Sequence, residues 1–151
     1  MQIIKITDKN FNDVKNITQT TIDSVYPKYY PAGAVQYFKN HHNDENIMSD
    51  IKDGQVYCLF ENEKAVGTIT IKENHINRLF VLPDFQGKGF GKELLNFAEK
   101  TIFQNYKEIE IDASFPAKSI YLKRGYKEVD FIKVEIANGD YLCYDVMLLS
   151  L

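Results

Sequence analysis

The sequence lacks an excess of positive charge. Its 151 residues include 18 Lys and Arg against 21 Asp and Glu, which gives a formal net charge of -3. A protein without a basic field has no general attraction for nucleic acid or for an anionic membrane surface. We therefore expect neither of these as a partner, and we expect the binding partners to be small.

Long apolar runs and cysteine are also scarce. The N-terminus, MQIIKITDKNF, is interrupted by charge within a few residues and lacks the apolar core of a signal peptide. No later run approaches the ~20 apolar residues of a membrane-spanning helix. The only cysteines, Cys58 and Cys143, each lie in a strand-like run, which favours small core residues over a disulfide or a catalytic thiol. These features predict a cytoplasmic protein.

The sequence shows no internal repeat, no low-complexity tract and no linker rich in proline, glycine or serine. Its length is common for one domain, and 44% of its residues are hydrophobic, which is enough for a single core. We predict one domain over residues 1–151.

Hydrophobic periodicity predicts the order of the secondary-structure elements. A short N-terminal strand is followed by helical segments as far as Gly54, with the loop YPKYYPAG between them. From Gln55 the period changes to two, and the runs QVYCLFE, KAVGTITIK and HINRLFVLP indicate an antiparallel meander. A helix, a strand and a second helix follow in KELLNFAEKTIFQNY, EIEIDAS and PAKSIYLKRG. Asn138-Gly139 then predicts a hairpin between the last two strands.

The stretch QGKGFGK, residues 86–92, lies between the third meander strand and a helix. The first N–H groups of a helix have no intrahelical partner, and the helix dipole is positive there. Three glycines let the backbone wrap around a phosphate, and Lys88 and Lys92 add charge, so the stretch predicts an anion site. It is not a Walker A loop, because Glu93 follows Lys92, and it does not match the GxGxxG fingerprint of dinucleotide-binding folds. A tight turn without a ligand would need only one glycine.

Two stretches resemble one known family. VLPDFQGKGFG, from Val81 to Gly91, resembles the acetyl-CoA signature of the GNAT superfamily of N-acetyltransferases. A later part of the chain resembles the family at Ala113-Ser114, Ala117, Ile120-Tyr121 and Gly125-Tyr126. The predicted element order is also similar to that of the family, so the resemblance covers nearly the whole chain. It implies an α/β (α+β) GNAT fold, in which a mixed, mostly antiparallel sheet of about seven strands has splayed central parallel strands and flanking helices.

The resemblance implies acetyl-CoA as the co-substrate, without a metal. Coenzyme A would enter between the parallel strands near residues 75–82 and 108–114. Leu79, Phe80 and Val81 are implied to line the pantetheine, and a backbone N–H of this segment is implied to donate to the thioester oxygen. Ser114 stands where family members often have a longer asparagine that bonds the pantetheine. The implied diphosphate site consists of Gln86, Gly87, Lys88, Gly89, Phe90, Gly91 and Lys92.

The implied reaction is direct attack of a primary amine on the acetyl thioester. Deprotonating an amine of pKa near 10.4 at pH 7 costs roughly 4.6 kcal/mol. Tyr121, at the tyrosine position of the family, is implied to donate a proton to the leaving sulfur. His75 is our candidate base, because it begins the third meander strand on the face that strict alternation assigns to Leu79 and Val81. Asp112 and ordered water are alternative bases.

The sequence leaves the acceptor open. Tyr29 and Tyr30 offer aromatic surface that suits a flat or aliphatic amine, or that packs the loop down. A peptide N-terminus, a lysine side chain, a polyamine and an aminoglycoside all stay open, as does a homodimer. His41 and His42 are interpreted as polar residues at a helix end, without a metal. The alternative functions are a coenzyme A-binding sensor that does not turn over and a nucleotide-binding protein outside the family.

Overall fold

A computed structural model describes residues 1–151. The strands are β1 (Gln2–Lys5), β2 (Val56–Glu61), β3 (Lys64–Lys72), β4 (His75–Val81), β5 (Glu108–Ala113), β6 (Lys127–Glu135) and β7 (Tyr141–Ser150). The helices are α1 (Phe11–Val25), α2 (Ala32–His41), α3 (Asp44–Lys52), α4 (Phe90–Ile102) and α5 (Lys118–Lys123). This order is the predicted one. None of the helices has the length and apolarity needed to cross a bilayer.

The seven strands form one mixed sheet in the order β1-β2-β3-β4-β5-β7-β6. Only the central neighbours β4 and β5 are parallel, and every other pair is antiparallel. The helix α4 lies between β4 and β5 in the chain, as a parallel crossover requires. The predicted α+β fold is therefore confirmed.

Two apolar clusters of 15 buried residues each pack against the sheet. One contains the inner stripe of α1, including Val14, Ile17 and Ile22, together with Phe80 of β4. The other contains the stripe of α4, with Leu94, Leu95, Ala98 and Ile102. Burial of these amphipathic stripes drives the helices onto the sheet, at about 25 cal/mol per Å² of apolar surface.

β4 contains a bulge that strict alternation did not predict. The register with β3 pairs Thr70 with Asn77 but Thr68 with Phe80, so two residues of β4 oppose one of β3. Arg78 in the bulge has a φ of 45°. The extra residue reverses the alternation beyond it.

The reversal is visible in the core. Ile76 and Val81, five residues apart, share the cluster on the α4 side, and Leu79 packs against the same cluster. In a regular strand Ile76 and Val81 would lie on opposite faces. His75, the neighbour of Ile76, therefore lies on the face opposite Leu79 and Val81, and our assignment of these three residues to one face was wrong.

The parallel strands separate soon after they meet. β4 and β5 pair only at His75 with Glu110 and at Ile76 with Ile111. Beyond these positions β4 pairs only with β3, and β5 pairs only with β7. The predicted splay is present, and its open end faces the start of α4.

One turn and one tether hold the β6–β7 hairpin in place. Asn138 and Gly139, at φ of 64° and 73°, make the predicted turn between β6 and β7. The Gly33 N–H of α2 donates to Asp140 Oδ2 at 3.1 Å. A Cβ at Gly33 would lie only 2.6 Å from that oxygen, so α2 begins in close contact with this hairpin.

Candidate active site

The glycine stretch presents six consecutive backbone N–H groups without a partner in the protein. Gln86 Nε2 donates to the Val81 carbonyl at 2.9 Å, which fixes the loop against the end of β4. None of the N–H groups of residues 87–92 donates to a backbone carbonyl, because the first such bond of α4 is Glu93 to Gly89. No side chain accepts from these groups either. The amides at the N-terminus of α4 are therefore free to bind an anion.

The glycines of this stretch have different roles. Gly87 and Gly89 have φ of 75° and 89°, a region that side chains other than glycine rarely occupy. A Cβ at Gly91 would make only an ordinary 3.9 Å contact with Val81 Cγ2. The loop backbone thus requires glycine at two positions, while at the third it only leaves space in front of the helix.

A cavity of about 770 Å³ opens above this loop, and we call it the larger cavity. Of the residues implied for the cofactor, it is lined by Leu79, Phe80, Val81, Gln86, Gly87, Phe90, Gly91, Lys92 and Ser114. Lys88 and Gly89 are not part of its lining, and the Lys88 ammonium lies 5.1 Å from the ring centre of Phe85. Lys123 and Arg124, at the C-terminal end of α5, also line this cavity, and sequence reasoning missed both because they lie far downstream of the glycine stretch.

A second cavity of about 180 Å³, the smaller cavity, lies on the other side of the splay. The two cavities meet at six shared residues, which are Tyr26, Leu79, Phe80, Ser114, Ala117 and Tyr121. A group held in one cavity can therefore reach a group held in the other at this junction.

Tyr121 lies at the junction with only 4% of its surface exposed. Its hydroxyl makes no hydrogen bond to another protein group, and burial raises the pKa of Tyr121 well above its ordinary value. The phenol is neutral at physiological pH and has a proton to donate. Burial also raises the pKa of Tyr26, and the neighbouring Ser114 side chain opposes that rise. Tyr26 and Ser114 thus lie close together at the same junction.

The two candidate bases lie side by side, but only one lines a cavity. His75 is outside the lining of both cavities, with Nδ1 2.9 Å from Glu110 Oε2. Its Nε2 lies 3.7 Å from Asp112 Oδ2 and has no hydrogen-bond partner. Asp112 lines the smaller cavity. Burial raises the pKa of Asp112, Glu110 raises it further and His75 opposes the rise.

A buried polar network lies beneath the bulge of β4. The Arg78 guanidinium donates to Asp50 Oδ2 at 2.8 Å, to Thr70 Oγ1 at 3.0 Å and to His42 Nδ1 at 3.3 Å. His42 is buried, and burial together with the charge of Arg78 lowers its pKa well below 6.5. His42 lies at the C-terminal end of α2 as predicted, but its burial against Arg78 was not predicted. The sequence around His42 gave no signal for this network, because the other members come from α3, β3 and β4.

The aromatic residues of the smaller cavity are not the ones that the sequence suggested. Tyr30 is buried against Phe115, whose N–H donates to the Tyr30 hydroxyl at 2.7 Å, and Tyr29 is half exposed. Neither of these tyrosines lines a cavity. The aromatic lining consists of Tyr26, Tyr37, Phe38, Phe80, Tyr121 and Tyr144. No group of three or more His, Cys, Asp or Glu side chains is arranged to hold a metal ion.

A family model described as the acetyltransferase (GNAT) domain matches residues 25–137. The chain belongs to this family. The matched residues include the six that the two cavities share and the whole glycine stretch. The resemblance noted in the sequence is therefore confirmed.

Known proteins similar to this GNAT chain agree with the assignment. The uncharacterized N-acetyltransferase YafP of Escherichia coli is 32% identical over 81 residues, which are 54% of this chain and 51% of that protein. The chain thus aligns with about half the length of this curated relative. A GCN5-related N-acetyltransferase from Rhodopseudomonas palustris has a TM-score of 0.88 at 24% identity, covering 99% of this chain and 95% of its own. Naa50 of Arabidopsis thaliana, solved with the bisubstrate analogue CoA-Ac-MVNAL, has a TM-score of 0.70 at 23% identity, with 99% and 98% covered.

Proposed function

We propose that this chain transfers the acetyl group of acetyl-CoA directly to a primary amine, with residues 1–151 acting as one catalytic domain. The observation that carries the proposal is the row of six free amides that opens into a cavity ending at Tyr121. Naa50 of Arabidopsis, which has the same fold, binds an analogue in which coenzyme A is joined to a peptide. Family membership and this geometry support the same chemistry.

The residues of the larger cavity fit coenzyme A. The amides of residues 87–92 are suited to its diphosphate, since charge-assisted hydrogen bonds of this kind contribute about 1.5–3 kcal/mol each. Lys92 and Lys123 add positive charge to the lining, where Arg124 is paired with Glu99. Leu79, Phe80 and Val81 offer the edge of β4 that is not paired with β5 to the pantetheine, and Ser114 adds a hydroxyl at the junction.

When bound, acetyl-CoA supplies an acetyl thioester, at which the new C–N bond forms as the C–S bond breaks. Tyr121 is proposed to give its proton to the departing sulfur, because its hydroxyl has no other partner and lies where the cavities meet. A backbone N–H in the bulged segment 79–81 is proposed to donate to the carbonyl oxygen as that oxygen gains charge.

The ammonium must lose one proton before it attacks, and we propose that Asp112 accepts it. The second proton, which the nitrogen loses after the C–N bond forms, is proposed to restore the Tyr121 phenol. Asp112 lines the smaller cavity, whereas His75 lies behind it with Nε2 3.7 Å from Asp112 Oδ2. In this arrangement His75, the base suggested by sequence, lies behind Asp112 and beside Glu110, where it opposes the rise in the pKa of Asp112. Burial favours the protonated form of Asp112, which improves the carboxylate as a proton acceptor.

Calorimetry and a thiol assay test the proposed function. The protein should bind acetyl-CoA without added metal, and it should show no preference for NAD or ATP. A broad panel of primary amines should then include acceptors that release free coenzyme A. Binding of acetyl-CoA without turnover of any amine would favour the sensor, and binding of NAD or ATP in its place would refute the cofactor assignment.

A further inference from the structure

The smaller cavity offers room for a small group beside the junction. Its volume is about 180 Å³. A protein cavity of about 150 Å³ with an apolar lining takes up benzene. The space beside Tyr121 therefore accommodates a body of about the size of one ring or one branched alkyl group.

The wall of the smaller cavity is aromatic and already packed. Tyr26 contacts Phe38 edge-to-face with ring centres 4.8 Å apart, and Tyr37 stacks on His41 at 6.3 Å. Tyr144 lines the same space from β7. Aromatic faces attract both apolar groups and cations. The lining is thus suited to an amine that carries an apolar body.

The charges of the lining favour one positive charge and no more. His41 and His42 have pKa values lowered by burial and by Arg78, which leaves both imidazoles neutral. Asp50 lies 2.8 Å from Arg78 and 2.8 Å from Lys72, so its one negative charge is shared between two cations. Asp112 is the one carboxylate of the lining. A second ammonium in the same cavity would have no carboxylate to meet it.

The boundary with the β6–β7 hairpin is closed. The contact of Gly33 with Asp140 brings the start of α2 against the hairpin turn, where a Cβ at Gly33 would also lie 3.0 Å from the Ala137 carbonyl oxygen. Val134 and Leu142 of the two hairpin strands line the cavity and pack in the same core cluster as α2. A polypeptide acceptor would therefore have to pass this contact to reach the junction.

We propose that the acceptor is a small primary monoamine with an aromatic or branched aliphatic body. The body lies among Tyr26, Tyr37 and Tyr144, and the ammonium lies on Asp112, which receives its proton. This inference rests on the proposed function, because it names the acceptor of that reaction. Polyamines carry more positive charges than the lining has carboxylates, aminoglycosides are larger than the space beside Tyr121, and a peptide would have to pass the contact between α2 and the β6–β7 hairpin.

Initial rates with four amines test the acceptor class. At saturating acetyl-CoA, release of free coenzyme A is measured with 2-phenylethylamine, isoamylamine, spermidine and the pentapeptide Met-Val-Asn-Ala-Leu. We expect kcat/KM for the two monoamines to exceed the other values by about a hundredfold. Faster turnover of spermidine or the pentapeptide would overturn the acceptor class and leave acetyl transfer standing. If neither these four amines nor the broad amine panel led to release of coenzyme A, both the acceptor class and acetyl transfer would be overturned.

The role of Asp112 has a matched control on the same strand. Glu108 is an exposed carboxylate on the same face of β5 and outside both cavities. Calorimetry with the protein saturated in coenzyme A gives the Kd of 2-phenylethylamine without turnover. Asp112→Asn should raise this Kd about tenfold, the equivalent of 1.4 kcal/mol, while Glu108→Gln should leave it unchanged. An unchanged Kd in Asp112→Asn, with thermal unfolding like that of the parent, would overturn the inference.

Discussion

At the scale of single residues, the site depends on groups whose hydrogen-bonding capacity is unused. The Tyr121 hydroxyl and the amides of residues 87–92 have no partner in the protein, although they lie at a cavity junction and at a helix N-terminus. Unused donors in such positions cost free energy unless a ligand or water satisfies them. Substitutions at these residues therefore test ligand binding and catalysis separately from the stability of the fold.

The Tyr121 hydroxyl can be removed without loss of an internal hydrogen bond. We expect Tyr121→Phe to lower kcat by about a hundredfold and to leave the Kd of acetyl-CoA and the unfolding free energy unchanged. Steady-state kinetics, calorimetry and urea denaturation measure the three quantities.

Tyr126→Phe is the control for that variant. The Tyr126 hydroxyl is buried too, but it donates to Glu99 Oε1 at 3.0 Å and lies outside both cavities. Its loss should lower stability by about 1–2 kcal/mol and spare kcat. Full turnover in Tyr121→Phe would refute Tyr121 as the proton donor.

Gly89 and Gly139 form a second matched pair. Both have positive φ, at 89° and 73°, and a Cβ at either position would meet no atom within 4 Å. Gly89→Asp and Gly139→Asp should therefore each lower stability by about 1–2 kcal/mol. Only Gly89→Asp places a carboxylate where the diphosphate is proposed to bind, so only this variant should lose acetyl-CoA binding in calorimetry. Equal affinities in the two variants would contradict the diphosphate site.

At the scale of elements, β4 is where the sequence was least informative. Its apolar pattern identified a strand, and its position after two meander strands identified its neighbour β3. The bulge at Arg78 was not predictable, because a positive φ at arginine has no local signal. The buried ion pair of Arg78 with Asp50 accompanies the bulge, and it joins residues 28 positions apart. The face of His75 was mistaken for this reason.

The stability of this bulged strand should depend on the buried pair. The Arg78–Asp50 and Lys39–Asp23 pairs have the same 2.8 Å separation, but the first has side chains at 4% and 7% exposure and the second at 32% and 56%. Asp50→Asn should lower the unfolding free energy by about 3–5 kcal/mol, because it leaves a buried guanidinium without its counter-charge. Asp23→Asn should lower it by less than about 1 kcal/mol. Urea denaturation of both variants measures the difference, and similar losses would argue against the buried pair.

At the scale of the whole molecule, the order of the elements and the position of the glycine stretch followed from periodicity and turn residues. The two-residue turn at Asn138-Gly139 is an example, because the turn type itself demands those residues. The pairing of β4 with β5, the splay and the α+β fold were expected from the family resemblance. The local pattern could not predict the cavity-lining residues that come from distant segments, such as Lys123 on α5 and Tyr144 on β7. Such proximity is created only when the sheet forms.

The folded molecule should lose stability in mild acid through His42. Burial lowers the pKa of His42 most, and the charges of Arg78, His41 and Lys72 lower it further. The unfolded chain takes up this proton near pH 6.5 and the folded chain does not, so stability is lost as pH falls below about 6.5 towards the folded pKa. His42→Gln, whose amide oxygen can still accept from Arg78, removes the titration. Thermal unfolding at pH 7.5 and 5.5 should show a smaller shift in Tm for the variant than for the parent, and equal shifts would contradict this origin.

The junction of the two cavities also determines the order of events in turnover. Each cavity has its own opening. Neither Cys58 nor Cys143 lines either cavity, so no cysteine of the protein is placed to carry the acetyl group between two half-reactions. Both substrates have to be present together, and each product can depart by the route its precursor took. Double-reciprocal plots should therefore intersect, with coenzyme A competing against acetyl-CoA but not against the amine. Parallel lines would point instead to an acetylated protein that outlives the first product.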